Sequence, residues 1–230
     1  EEDLSAPPSI PQAETGTGVI LSITPPSGEA LTYTQVYEKA APSIAALTAY
    51  SAGMVSTGTG IVLTADGYIV TNAHIIAGAE QVNVTLSDDS LWSAQLVGFE
   101  PLEDLAVLKI DASGLTPAQF GDDTLLRSGD PVSAIGNPMG YRSTITPGIV
   151  SALDQPVSVE GTTMYLLQTS AAINYGSSGG ALLNDRGQVV GVTTIKIVAD
   201  DGSAEGLGFA IPTTRVKQVV DRLIAGAPVT

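Results

Sequence analysis

Cysteine is absent from the 230 residues. That removes disulfides, thiolate nucleophiles and cysteine-ligated zinc, though it names no compartment. Histidine occurs once, at His74. Chemistry that needs two imidazoles is therefore out, and a zinc site would have to be built almost wholly from carboxylates, a donor set zinc rarely accepts. No metal or other cofactor is expected. Positive charge is scarce: 9 Lys and Arg stand against 24 Asp and Glu, a net charge of −15. This balance speaks against nucleic acid, whose backbone rewards clustered cations, and against docking on anionic lipid. No run of about 18 apolar residues occurs, so no direct membrane insertion is expected. A basic start followed by an apolar stretch is also missing, so no signal peptide is visible. The chain opens Glu1-Glu2-Asp3 without Met and reads as a processed or trimmed form.

What is present is enough for a core, with 43% hydrophobic residues. Residues 1–30 stand apart: five prolines and five acids, with no basic residue. They predict an acidic, proline-rich linker, extended and solvated. It carries −5 of the charge and leaves −10 for residues 31–230. A short helix is predicted over 34–41, capped by Thr34 and stopped by Pro42. Runs rich in Val, Ile, Leu, Tyr and Thr then predict strands over 44–50, 60–64, 68–71, 82–86, 91–99 and 105–110, separated by turn signals such as Ala65-Asp66-Gly67. A second set covers 131–135, 143–153, 164–169, 181–183, 188–197 and 206–211, joined to the first through 114–130. Val216, Val219, Val220, Leu223 and Ile224 at helical spacing predict a closing helix over 213–225, stopped by Gly226. Many short strands argue for an all-β sandwich or barrel pair rather than βαβ units.

Three segments could carry chemistry. Asn174-Tyr175-Gly176-Ser177-Ser178-Gly179-Gly180 places a serine among glycines, a backbone able to turn sharply and expose its amides. Acyl transfer needs such a hydroxyl beside oxyanion-stabilising amides; the plainer alternative is a flexible Gly/Ser turn. His74 follows a strand, and serves as a general base only if a carboxylate holds its tautomer; a lone histidine is more often a satisfied structural residue. Asp104 directly precedes the apolar run 105–110, which suits a buried orienting carboxylate as well as an ordinary loop acid. The chain order His74, Asp104, Ser178 is that of chymotrypsin-type enzymes. Two β-rich halves would bring His and Asp from the first to Ser from the second, in the cleft between them.

Thr71-Asn72-Ala73-His74, Asp104-Leu105-Ala106-Val107 and Ala171-Ala172-Ile173-Asn174-x-Gly176-x-Ser178-Gly179-Gly180 resemble the trypsin-like HtrA (Deg) family of cell-envelope serine proteases. Further matches are Gly58-Thr59-Gly60-Ile61, Ala134-Ile135-Gly136-Asn137-Pro138, Thr146-x-Gly148-Ile149-Val150-Ser151 and Gly206-Leu207-Gly208-Phe209-Ala210-Ile211-Pro212. The resemblance spans residues 34–225. It implies two six-stranded antiparallel β-barrels of the chymotrypsin type, over 43–120 and 130–212, with a short N-terminal and a C-terminal helix. It implies peptide-bond hydrolysis by His74, Asp104 and Ser178 through an acyl-enzyme, with the amides of Gly176, Ser177 and Ser178 as the oxyanion hole. The primary specificity pocket would be lined by Ile173, Thr194, Ile195 and Lys196. Ile173 suits a small aliphatic side chain, whereas Lys196 could attract an acidic one. Tyr175, Ser177 and Ser170 depart from the residues usual in that family.

The resemblance further implies unfolded or misfolded polypeptides as substrates and an extracytoplasmic place in a bacterial cell envelope. A membrane anchor in the full-length form and a homotrimer built through the N-terminal segment belong to the same picture. The chain ends five residues past the closing helix, so a protease domain without a PDZ domain is expected. Two other readings compete. One is a latent scaffold that holds polypeptides without cutting them. The other is a glutamate-specific serine protease, which characteristically uses a further histidine that this chain does not have.

Overall fold

The computed structural model describes residues 4–137, 143–159, 162–194 and 207–227. The expected strands and helices are there, with shifted ends, except that 195–197 and 206 of the expected strands lie outside the described residues. In chain order they are β1 (Ile23–Thr24), α1 (Tyr33–Ala40), β2 (Ile44–Ser51), β3 (Met54–Val62), β4 (Tyr68–Thr71), α2 (Ala73–Ile76), β5 (Gln81–Thr85), β6 (Leu91–Ser93), β7 (Gln95–Glu100) and β8 (Leu105–Lys109). The second half holds β9 (Phe120–Gly121), β10 (Pro131–Gly136), β11 (Thr144–Val159), β12 (Thr162–Thr169), β13 (Ala181–Asn184), β14 (Val189–Thr194), β15 (Gly208–Pro212) and α3 (Thr213–Ala225).

The first sheet runs β6-β5-β2-β3-β4-β8-β7. Its two outer strands are successive pieces of one stretch, interrupted only at Ala94, whose amide still donates to Val82 O at 2.9 Å. The bent stretch pairs with β5 at one end and β8 at the other, which closes a six-stranded ring. The second sheet runs β1-β9-β14-β13-β10-β11-β12-β15, and an added β14–β15 pairing closes six of its strands into a second ring. The rings are antiparallel; β1 and β9 join the second one in parallel, an addition the sequence does not announce.

Each ring encloses its own core, with Leu47, Ile69, Val84 and Leu108 in the first and Val132, Leu167 and Leu182 in the second. A third cluster joins Val70 and Val107 to Ile135, Val192 and, on α3, Val216 and Val220. Strands buried on both faces read as unbroken apolar runs rather than alternating ones. That cluster packs the two rings face to face.

Two expectations change. Thr32, not Thr34, caps α1: its hydroxyl accepts from Gln35 N–H, and the Gln35 side chain accepts from Thr32 N–H in return. β3 begins six residues early, at Met54, because its first half follows the β2 ladder directly from Ser51↔Met54. The stretch before α1 is extended and mostly exposed where it is described, and it is pinned to the barrels at a few points. Ile10 and Leu21 are buried, Leu96 N–H donates to Pro11 O at 2.8 Å, and Leu21 N–H donates to Asp221 on α3 at 2.8 Å. Ile10 and Leu21 find slots on the barrels, and the backbone beside them finds partners there.

Candidate active site

His74 sits on α2, a single turn after β4, and Asp104 sits at the entrance to β8. β4 and β8 are neighbours paired from Thr71↔Ala106 onward, so the residues just beyond their adjoining ends meet. Asp104 adopts φ 51°, a left-handed conformation that Asp tolerates better than most residues but that still costs about 1 kcal/mol or more. The backbone is held there by the Asn72 side chain, whose Nδ2 donates to Asp104 O at 3.0 Å.

The carboxylate is 1% exposed and fully engaged. Oδ1 lies 2.9 Å from His74 Nδ1 and accepts His74 N–H at 3.1 Å; Oδ2 lies 3.0 Å from Nδ1 and accepts the Thr194 hydroxyl at 2.9 Å. An ionised carboxylate only accepts, so Nδ1 carries the hydrogen and Nε2 is left as the basic nitrogen of the neutral ring. Three donors on one buried charge supply the compensation that burial requires.

Ser178 arrives from the second ring on the turn before β13 and is 3% exposed. Ser177 N–H donates to Asn174 O at 2.9 Å, and Gly176 has φ 87° while Tyr175 is not left-handed. This is a type II turn, in which the third residue must be glycine or nearly so. Gly179 is required for a different reason. It has φ 79°, and a Cβ there would lie 2.1 Å from Thr59 O and 2.5 Å from Thr71 Oγ1. The serine segment therefore presses onto the strands that lead to His74.

Thr59, fully buried on β3, joins the two halves. Its N–H donates to Ser178 O at 2.8 Å, its hydroxyl donates to Gly176 O at 2.6 Å, and the same hydroxyl accepts Asn137 N–H at 2.9 Å. Thr71 Oγ1 donates to Thr59 O at 2.7 Å. Thr193 Oγ1 donates to Ser177 O at 2.7 Å from the other side. Every carbonyl from Gly176 to Ser178 is thus tied down, which leaves that segment's amide directions set before any ligand arrives.

Two expected assignments change. The Ser177 amide closes the turn to Asn174 and is not available to an oxyanion. Thr194 does not wall a pocket with its side chain: it is buried, and its hydroxyl serves Asp104. Ile173 is half-buried at the mouth of the second ring, next to Gly208, where a Cβ would meet Ile173 Cδ1 at 2.9 Å. Ile195 and Lys196 lie outside the described residues. Thr59, Asn72 and Asn137 stand in recognisable motifs, yet their roles are invisible in sequence because each partner lies 30 or more residues away.

Residues 58–192 match the model of the trypsin-like peptidase domain. A probable periplasmic serine endoprotease, DegP-like, of Chlamydia trachomatis serovar D is 45% identical over 177 residues, 75% of this chain and 35% of that protein. Serine protease PepD of Mycobacterium tuberculosis is 40% identical over 243 residues, 96% of this chain and 50% of that one. The chain thus spans half or less of these relatives' length. Among solved structures, the HtrA-type protease AlgW with a tripeptide superposes with a TM-score of 0.79 at 40% identity, covering 85% of this chain and 64% of that one. The serine endoprotease from Yersinia pestis gives 0.74 at 38% identity, covering 86% and 68%.

Proposed function

We propose, for a chain that belongs to the trypsin-like peptidase family and to its HtrA-type branch, a serine endopeptidase that cuts polypeptides through an acyl-enzyme. The observation that carries this reading is the Asp104 carboxylate at 2.9 and 3.0 Å from His74 Nδ1, itself held by Thr194. In the proposed cycle Ser178 Oγ attacks the substrate carbonyl while His74 Nε2 takes its proton. The proton passes to the leaving amine as the C–N bond breaks, and water repeats the sequence to release the acid. Asp104 holds the ring and stabilises the imidazolium. The amides of Gly176 and Ser178 receive the oxyanion; losing one such donor typically costs about 10²–10³ in rate.

Unfolded or misfolded proteins suit this reading as substrates, because a peptide bond enters the cleft only as an extended segment. Ile173 favours a small aliphatic side chain before the cut, with modest discrimination, since one methylene is worth about 1–3 kcal/mol. An extracytoplasmic site of action accords with the periplasmic relative, and a membrane anchor on the full-length protein belongs to the same reading. No helix among the described residues is long and apolar enough to cross a membrane. A homotrimer through the N-terminal segment belongs to the same reading, and sedimentation would test it.

The decisive experiment digests casein and a peptide library with wild type and Ser178→Ala. Wild type should cut after Val, Ala or Leu and bind one equivalent of an organophosphonate; the variant should do neither. Cleavage by the variant would overturn the mechanism. Wild type that neither cuts nor labels would favour a scaffold that only holds polypeptides.

A further inference from the structure

A groove of 630 Å³ runs between β12 and the start of α3, and one side of β12 lies open within it. The β12–β15 ladder covers Leu167↔Ala210 to Thr169↔Gly208 and then stops. Continued in register, it would set Tyr165 against Pro212, which has no amide hydrogen and from which the chain turns into α3. Among the described residues, 162–166 pair only with β11. The residue opposite Tyr165 on β11 is Pro156, which also has no amide to give. That pairing suits a non-hydrogen-bonded position, whose N–H and C=O point outward from the pair, here into the groove. An unpaired strand edge in a groove is a template for another strand.

The walls give the edge a charge preference. Arg215 is engaged by Glu103, with Nε donating to Oε2 at 2.8 Å and a second contact between Nη2 and Oε1. This leaves Asp123, whose oxygens accept only the uncharged Thr214 donors, and Asp154; neither takes part in an ion pair among those described. Asp123 is half-buried, and Asp154 is held at φ 50° on the rim. Leu153 and the ring of Tyr165, 38% and 64% exposed, supply apolar surface beside them.

We propose that this groove binds an extended polypeptide segment carrying lysine or arginine between apolar residues. The segment adds as a strand to the β12 edge at Tyr165 and sets its cation against Asp123 and Asp154. Such binding goes beyond the endopeptidase reading and needs neither Ser178 nor cleavage.

The test uses the full chain as Ser178→Ala and a fluorescein-labelled octapeptide of alternating Val and Arg, beside its Val/Glu counterpart. Anisotropy should show saturable one-to-one binding of the Arg peptide only, weakening with salt. Asp154→Asn keeps a residue that tolerates left-handed backbone and should weaken binding roughly fivefold, as for a partly exposed ion pair. Asp88→Asn, on the distant β5–β6 turn, should change nothing. Tyr165→Pro removes the outward amide and should abolish binding, while Tyr165→Ala keeps most of it. If Tyr165→Pro fails to fold, Asp154→Asn against Asp88→Asn decides. Equal weakening by those two would reduce the interaction to net charge and overturn the proposal. So would displacement of the peptide by an organophosphonate on Ser178 of wild type, which would place it in the catalytic cleft. Self-association lost in Asp154→Asn would identify a second copy as the occupant and likewise overturn it.

Discussion

Thr59 Oγ1 holds Gly176 O across 117 residues of sequence, and through it the peptide that follows the proposed oxyanion amide. Thr59→Val keeps the shape and removes both hydroxyl contacts. We expect kcat for a peptide substrate to fall about tenfold to a hundredfold, less than the 10²–10³ for losing a donor outright. KM should barely move, and Thr59→Ser should recover most of the rate. An unchanged kcat would show that the segment holds its shape without the staple. The contrast with His74, Asp104 and Ser178 explains what was legible. Few residue types can act as base, orienter and nucleophile, so those three stand out in a string of letters. A threonine between glycines reads as a turn, and only the folded chain gives its hydroxyl a partner. Thr194 was singled out for its place on the strand expected to line a pocket, and its bond to Asp104 is seen only in the folded chain.

At the scale of elements, the strands were legible wherever both faces are buried, because β4, β8 and β13 are unbroken apolar runs. The first half of β3 was not, since Met54 and Val55 are exposed, residues 56–60 carry no apolar run, and the β2 ladder extends it. The two-residue β1 and β9 were equally silent. α3 was legible from its spacing, but its N-terminal partner was not. Asp123 accepts Thr214 N–H at 2.7 Å and the Thr214 hydroxyl at 3.1 Å, from another segment altogether. Desolvation raises the Asp123 pKa above the ordinary 3.8, outweighing those hydrogen bonds. A carboxyl with a raised folded pKa favours folding most when protonated. Its contribution is therefore greatest below pH 3.8 and declines as pH climbs through the raised value. Asp123→Asn, which keeps one acceptor for Thr214, should thus gain Tm relative to wild type between pH 3.5 and pH 7. A difference that is flat or falls over that range would contradict the assignment.

The whole molecule is two closed rings locked by one shared cluster and laced by the N-terminal stretch. That stretch touches the first ring at Leu96, α3 at Asp221 and Ile224, and the second ring through β1. Deleting residues 1–22 would expose the pockets of Ile10 and Leu21, each worth about 1.5–3 kcal/mol when fully buried. We expect a lower Tm for the truncated chain, with Ser178 still titratable by organophosphonate at low temperature. An unchanged Tm would mean that the stretch rests on the domain without stabilising it.

The bond from Leu21 to Asp221 spans 200 residues, and it imposes an order on synthesis. The stretch is synthesised before its partners on α3, with both rings between them. It cannot dock until the rest of the domain exists. Its docking therefore reports on α3: a nascent chain that ends before that helix leaves Leu21 without its partner, and the stretch hangs loose until the helix has folded.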